Sequence, residues 1–372
     1  MTSAAGNEND PPVWLLGGRG DVGGRLAALL AEDLCQRVVL CGRDGDAAAA
    51  VARKIGNAVT AIGLDSSDPS LAEMVPARAS LVNLTEATHP AFAARCIETG
   101  GVFIESSASP EYVGLVSDAT TSSQSGLAVM NAGLMPGLTN ICARRLKSSL
   151  ADILEIDIVI EMGLGRHHGP SATRWTIASL GKSYDTIIDG NRQTLPAGRL
   201  YRDIRFSGDD RSRVALGFPF SDQFSIAGLG ILTARSFLAL DPPWVTHLLY
   251  HAARLGLGKG MQRLSGRIQW LLDHMPVVGR IGTRLIVEGR GTGPADISRI
   301  EIHTGDQADV TAVMLHETLL AARRTEMRGS IDSDRLVGVE DALTAIRHRL
   351  PETRVFQTSQ LRNLSFSEKD FA

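Results

Sequence analysis

The chain has 372 residues, 44% hydrophobic and 21% charged, with a net charge of −3 and a pI near 6.3. It is long enough for about two or three domains with a sizeable core, and its charge balance gives no basis for nucleic acid as a partner. The four cysteines, Cys35, Cys41, Cys96 and Cys142, form no C-x-x-C pair, which argues against a metal site or a disulfide framework and for a reducing, cytoplasmic setting.

Residues 1–12 are polar and end in Pro11-Pro12. They lack the regions of a signal peptide and are expected to be a disordered leader. No run of about 18 apolar residues follows that would cross a membrane. From 13 to 147, strand-like runs at 13–17, 37–42, 59–64, 80–85, 102–106 and 127–131 alternate with helical segments at 22–33, 46–55, 69–75, 89–99 and 110–122. Near-continuous apolar strands separated by helices predict a doubly wound parallel sheet of the Rossmann type, covered on both faces. Residues 148–306 read as an α+β domain on a largely antiparallel sheet. Its expected strands include 153–163, a hairpin at 184–194 turning on Asp189-Gly190-Asn191, and runs near 202–207, 211–218, 283–291 and 296–305. A helix at 173–181 stops at Gly181. A basic helical insertion is expected at about 233–283. Residues 307–372 are read as C-terminal helices returning to the first domain, with helices at 309–324 and 338–349 and a polar tail.

"LLGGRGDVGGRLAALL" (15–30) follows the first strand and opens the first helix. Gly18, Gly20 and Gly23 give G-x-G-x-x-G, and Gly17 offers an overlapping frame. In this context the pattern is a dinucleotide turn, with the helix N-terminus offering N–H groups to a pyrophosphate. An NAD site places an acid at the end of the second strand. Here that strand ends Cys41-Gly42-Arg43, and a guanidinium there suits a 2′-phosphate, which favours NADP. Asp44 is a candidate cap for the next helix. The expected cofactor set is Gly18, Gly20, Asp21, Val22, Gly23, Gly42, Arg43, Asn83 and Thr85. For Asn83 and Thr85, contacts to the nicotinamide half compete with simple loop hydrogen bonding. Glu105, Ser106 and Asn131 should lie near the same crevice, and His89 reads as a loop or capping residue.

Two stretches are candidates for substrate chemistry. "NAGLMPGLTN" (131–140) puts Pro136 and Gly137 at a tight helix entry and Thr139 in the first turn. Such a helix end would take a carboxylate, unless it is a hinge without ligand contacts. "GLGRHHGPSATRW" (163–175) supplies Arg166, His167 and His168 as catalytic candidates and Arg174 as a carboxylate clamp, against the alternative of a surface loop. Between 244 and 284, tryptophans and leucines interleave with arginines against one acid, Asp273. That pattern fits a lid or a subunit contact, and less well a membrane-surface helix.

These residues resemble the saccharopine dehydrogenase (saccharopine reductase) family. The carriers are "LLGGRGDVGG", "VVLCGRD", residues 80–107, "NAGLMPGLTNICARRL" and 316–342. The resemblance implies a Rossmann domain, an α+β substrate and dimerisation domain, and hydride transfer with NADPH at a C=N or C–N bond of an amino-acid-like small molecule. It also implies a homodimer. Region 205–287 departs from the saccharopine enzymes, so saccharopine itself is not implied as substrate. Two other readings remain: a carbonyl or C=C reductase for an apolar or tethered substrate, and a non-catalytic NADP-binding or membrane-peripheral scaffold.

Overall fold

The computed structural model describes residues 11–34, 37–122, 125–149, 153–165, 170–257, 260, 263–264, 266–267, 270, 278–293 and 296–359. In the first half, β1 (Val13–Leu16), α1 (Asp21–Leu34), β2 (Val38–Gly42), α2 (Gly45–Ile55), β3 (Val59–Gly63), β4 (Ser80–Asn83), α3 (Ala91–Glu98), β5 (Val102–Glu105), α4 (Pro110–Thr120) and β6 (Leu127–Met130) alternate. Local chemistry sets several of the boundaries. Asp44 accepts a hydrogen bond from the Ala47 N–H at the head of α2, and Ser109 does the same for Tyr112 ahead of Pro110 in α4. Residues 69–75 form a 3-10 turn, Pro69–Met74, where a helix was expected.

The chain then runs through α5 (Thr139–Ser149), β7 (Glu155–Gly163), α6 (Pro170–Ser179), β8 (Ser183–Ile188), β9 (Asn191–Pro196), β10 (Tyr201–Ile204), β11 (Arg213–Gly217), α7 (Asp222–Ala227), β12 (Thr233–Asp241) and α8 (Pro243–Arg254). It closes with β13 (Thr283–Arg290), β14 (Ile297–Thr304), α9 (Gln307–Arg324), β15 (Gly329–Asp332), α10 (Val339–Arg349) and β16 (Arg354–Ser359). The first sheet is wholly parallel, in the order β3-β2-β1-β4-β5-β6-β15. The strand order reverses at β1, between β2 and β4, and doubly wound sheets bind their ligands at the carboxyl ends beside such a reversal. Leu26, Leu30, Leu315 and Leu319 from α1 and α9 cover one face, and Phe92, Ile97, Val113 and Val116 from α3 and α4 the other.

The second sheet runs β10-β11-β12-β7-β13-β14-β16, with β8 and β9 branching from β12. Among its described strand pairs, only β7–β12 is parallel. The β8–β9 hairpin turns on Asp189 and Gly190 at φ +52° and +73°, the left-handed pair a two-residue turn needs. One face packs on Ile141 and Leu146 of α5, Val310 and Val313 of α9, and Leu343 and Ile346 of α10. The other carries paired charges: Arg202 and Arg235 each donate to Asp157 at 2.7 Å, and Arg284 donates to Glu161 at 2.8 Å.

Three further expectations are corrected. Residues 233–241 are not the start of a helical insertion; they form β12, a strand next to the sheet's centre. Ala234 and Leu238 pack into one core while Phe237 and Ala239 pack into another. Burial on both faces erases the period-two pattern and leaves an apolar run that reads equally well as helix. The segment from 307 onward is not helical alone: β15 adds a seventh strand to the first sheet and β16 returns to the second. Pro136 does not sit in the first turn of α5. Pro136 and Gly137 have non-helical backbone angles, Gly137 at φ +131°, and α5 begins at Thr139.

Candidate functional site

The glycine turn joins β1 to α1 at the reversal point. Gly17 makes the bend at φ +79°, with its N–H donating to the Cys41 carbonyl at 3.0 Å. Gly18 and Gly23 are demanded by packing. A Cβ on Gly18 would lie 2.8 Å from the Leu15 carbonyl oxygen, and one on Gly23 would lie 2.3 Å from the Gly18 oxygen. Gly20 is different. Its φ is not positive, and a Cβ there would meet only the Gly17 oxygen, at 3.3 Å. Among the described residues only that one mild contact opposes a side chain at 20, so its bareness keeps the space before the turn open. The first N–H groups of α1, from Asp21, Val22 and Gly23, have no intrahelical acceptor. Asp21 itself pairs with Arg25 at 3.1 Å.

The same holds at the end of β2. A Cβ on Gly42 would meet nothing within 4 Å, and Arg43 beside it is exposed. Asp44, capping α2, is turned away into its own helix. An open glycine turn and an open Gly42 leave room for a dinucleotide, with an exposed guanidinium beside them. Arg19, exposed at the tip of the turn, was not singled out from the sequence, since it lies between the glycines that define the motif.

At the carboxyl ends of β4 and β5 lies a buried polar cluster. Asn83 donates through Nδ2 to Glu105 Oε2 at 2.8 Å and to the Tyr112 hydroxyl at 3.0 Å. Tyr112 donates to the Thr88 carbonyl at 2.6 Å, and the Ser107 N–H donates to Glu105 at 2.8 Å. Among the described residues, Asn83 Oδ1 is buried with no hydrogen-bond partner. Thr85, half-buried, packs against the bend, its Cγ2 3.1 Å from where a Gly17 Cβ would stand. His89 caps α3, its Nδ1 accepting from the Ala91 N–H at 3.2 Å.

Burial raises Glu105 from 4.5 to about 7, against the lowering effect of its hydrogen bonds to Ser107 and Asn83. The folded chain therefore keeps a proton that the unfolded chain releases. That contribution to stability is fully present below pH 4.5 and is lost as pH rises through about 7. Urea unfolding at pH 5 and pH 8 should show Glu105→Gln gaining on the wild type by about 2 kcal/mol over that interval. A difference independent of pH would show that Glu105 is ionised throughout.

A cleft of about 490 Å³ lies between the domains. Its floor is formed by Asn131 and Asp332, at the carboxyl ends of β6 and β15, where the Asn131 amide donates to Asp332 at 2.7 Å. Asn131, at φ +52°, accepts from the Ser221 hydroxyl at 3.0 Å. Arg192 of β9 lines the opposite wall, ion-paired with Asp185 at 3.0 Å, its guanidinium carbon 5.2 Å from the centre of the Phe224 ring. Glu111 adds a further acid. Burial raises the Asp332 carboxyl above its ordinary value, against the hydrogen bond from Asn131. β6 lies two strand spacings, about 10 Å, from β4 along the sheet.

The sequence had pointed to other residues for the substrate. Pro136, Gly137 and Thr139 are buried; the Gly137 N–H donates to Asn140 Oδ1 at 2.9 Å, and Thr139 hydrogen-bonds Asp222. The start of α5 is thus packed against protein groups and does not line the cleft. Arg166, His167 and His168 lie outside the described residues, as does the Arg174 side chain. Arg192 and Asp332, which line the cleft, were not singled out from the sequence; both sit at turn or strand ends.

No family model matches this sequence, and no curated protein does. Among solved structures, the apo histidine-tagged saccharopine dehydrogenase (L-Glu forming) from Saccharomyces cerevisiae matches 94% of this chain and 100% of its own, with a TM-score of 0.62 and 13% identity. Myo-inositol dehydrogenase from Lactobacillus casei, in complex with NAD(H) and myo-inositol, matches 97% of this chain and 99% of its own at 12% identity, with a TM-score of 0.42. The chain joins a Rossmann-type half, built on the parallel seven-stranded sheet, to a second half built on the mixed sheet. Its fold is that of saccharopine dehydrogenase.

Proposed function

We propose that this protein is an NADP-dependent oxidoreductase acting at a C=N or C–N bond of an amino-acid-like substrate. The observation that carries the cofactor reading is the pair of unconstrained glycines, Gly20 and Gly42, beside Arg43. The N–H groups of Asp21, Val22 and Gly23 would hold the pyrophosphate, Arg43 the 2′-phosphate, and Asn83 and Thr85 the nicotinamide half. When bound, NADPH supplies a hydride. The chain supplies a bent turn free of side chains and, in Asn83 Oδ1, a buried acceptor that lacks a donor. The saccharopine dehydrogenase fold supports the reaction type. The cleft supports the substrate class: Arg192 suits a carboxylate, and Asp332 and Glu111 suit an ammonium group.

NADPH oxidation should be followed with keto acids or aldehydes, with and without amino acids. Turnover that requires both partners supports the reading. Turnover on carbonyl compounds alone would move it to a carbonyl reductase. Arg192→Ala should raise KM for the carboxylate-bearing partner by about tenfold or more, the loss of one charge-assisted hydrogen bond. NADPH affinity should stay unchanged in the same variant.

A further inference from the structure

We propose that the outward face of α8, with the turn at 278–281, is a docking surface for an anionic phospholipid bilayer. This holds whatever reaction the cleft performs. Twelve large apolar side chains are exposed among the described residues, and eight of them lie between 244 and 281. In α8, Thr246, Leu249 and Ala252 are buried against the protein. The opposite face should then be polar. Instead Trp244 and Leu248 stand out on it at 56% and 59% exposure, with Leu255 just past its end at 73%. Their spacing of four and seven places them on one stripe. The stripe also carries His251 and, three places after Trp244, His247 just beside it. The 278–281 turn extends this patch. The Arg280 N–H donates to Asp241 at 2.7 Å, just before α8 begins, and Ile281 is 69% exposed.

Charge selects the occupant. Residues 242–272 contain no Asp or Glu but carry Arg254, Lys259, Arg263 and Arg267. Arg263 and Arg267 are exposed, and Arg254 is held over the rings of Tyr201 and Tyr250 at 5.4 and 5.1 Å. A second copy of this chain would bring the same positive charge to the interface and be repelled. A bilayer with acidic headgroups meets the arginines with opposite charge, and its interface accepts Trp and Leu. Among the described residues no helix is long and apolar enough to cross a membrane, so the contact is one of surface docking.

Co-sedimentation of the full chain with vesicles tests this. Phosphatidylcholine vesicles containing phosphatidylglycerol should bring the protein down, and pure phosphatidylcholine should not. Trp244→Ala combined with Leu248→Ala should abolish binding, at sites whose exposure leaves folding intact. Arg263→Glu with Arg267→Glu should weaken it by at least about 25-fold, roughly fivefold per arginine removed. Raised salt should weaken it too. The proposal is overturned by equal binding to both vesicle types, or by no binding to either. It is also overturned if light scattering shows an oligomer that Trp244→Ala with Leu248→Ala dissociates, since the patch would then belong to a second copy.

Discussion

Replacing Gly20 with valine should weaken NADPH binding by at least about 100-fold while shifting unfolding free energy by less than about 1 kcal/mol. The two effects separate because, among the described residues, one backbone oxygen alone comes near the space before Gly20. Its Cβ meets one atom at 3.3 Å, so the fold gives way slightly. The branched side chain then stands where phosphate oxygens must approach the N–H groups of α1, and charge-assisted bonds of about 1.5–3 kcal/mol each are lost. Gly23→Ala should behave differently. Its Cβ would lie 2.3 Å from the Gly18 oxygen and 2.6 Å from two further backbone atoms. The backbone must move, at a cost of about 1–3 kcal/mol, and the turn moves with it. That variant should lose both stability and NADPH. Fluorescence titration with NADPH beside urea unfolding reads both quantities. If Gly20→Val bound NADPH normally, the turn would be no pyrophosphate site, however well its spacing matches one.

The contrast between these two glycines also marks what could be read in the sequence. The motif gave the position of both, and strand-to-helix context gave the turn. Only the coordinates separate a glycine required by packing from one kept bare for a ligand. The six strands β1 to β6 were legible because each is a short apolar run closed by a turn residue. β15 was not: "GSID" has one large apolar residue in four and reads as loop. β12 was misread for the opposite reason, being apolar on both faces. The cleft was the least legible part. Glu111, Asn131, Arg192, Ser221 and Asp332 come from five distant segments, each unremarkable alone. The α5 entry drew notice because Pro-Gly is conspicuous, yet its polar groups are spent on α7 and on each other.

Arg43→Ala should lower NADPH affinity by about 10–100-fold and leave NADH affinity within about threefold of wild type. The expectation rests on which acids near β2 are available to a ribose. NAD sites use a carboxylate there to bind the 2′-hydroxyl, and the same carboxylate repels a 2′-phosphate. Asp44 accepts from the Ala47 N–H at 2.9 Å and is committed to its helix. Asp65, after β3, competes for Arg43. Hydrogen bonds from Ser67 hold its carboxyl below its ordinary value, with Arg43 adding to the effect. Asp65 is thus ionised at neutral pH and draws on the same guanidinium a phosphate would. Asp65→Asn should accordingly strengthen NADPH binding modestly, and in the Arg43→Ala background it should do so through relief of repulsion alone. Raising salt should erode the NADPH preference of the wild type, because Arg43 is exposed and its field is screened within about 8 Å at physiological ionic strength. Equal losses for both nucleotides in Arg43→Ala would place the guanidinium on the shared adenosine, leaving the preference between them to be set elsewhere.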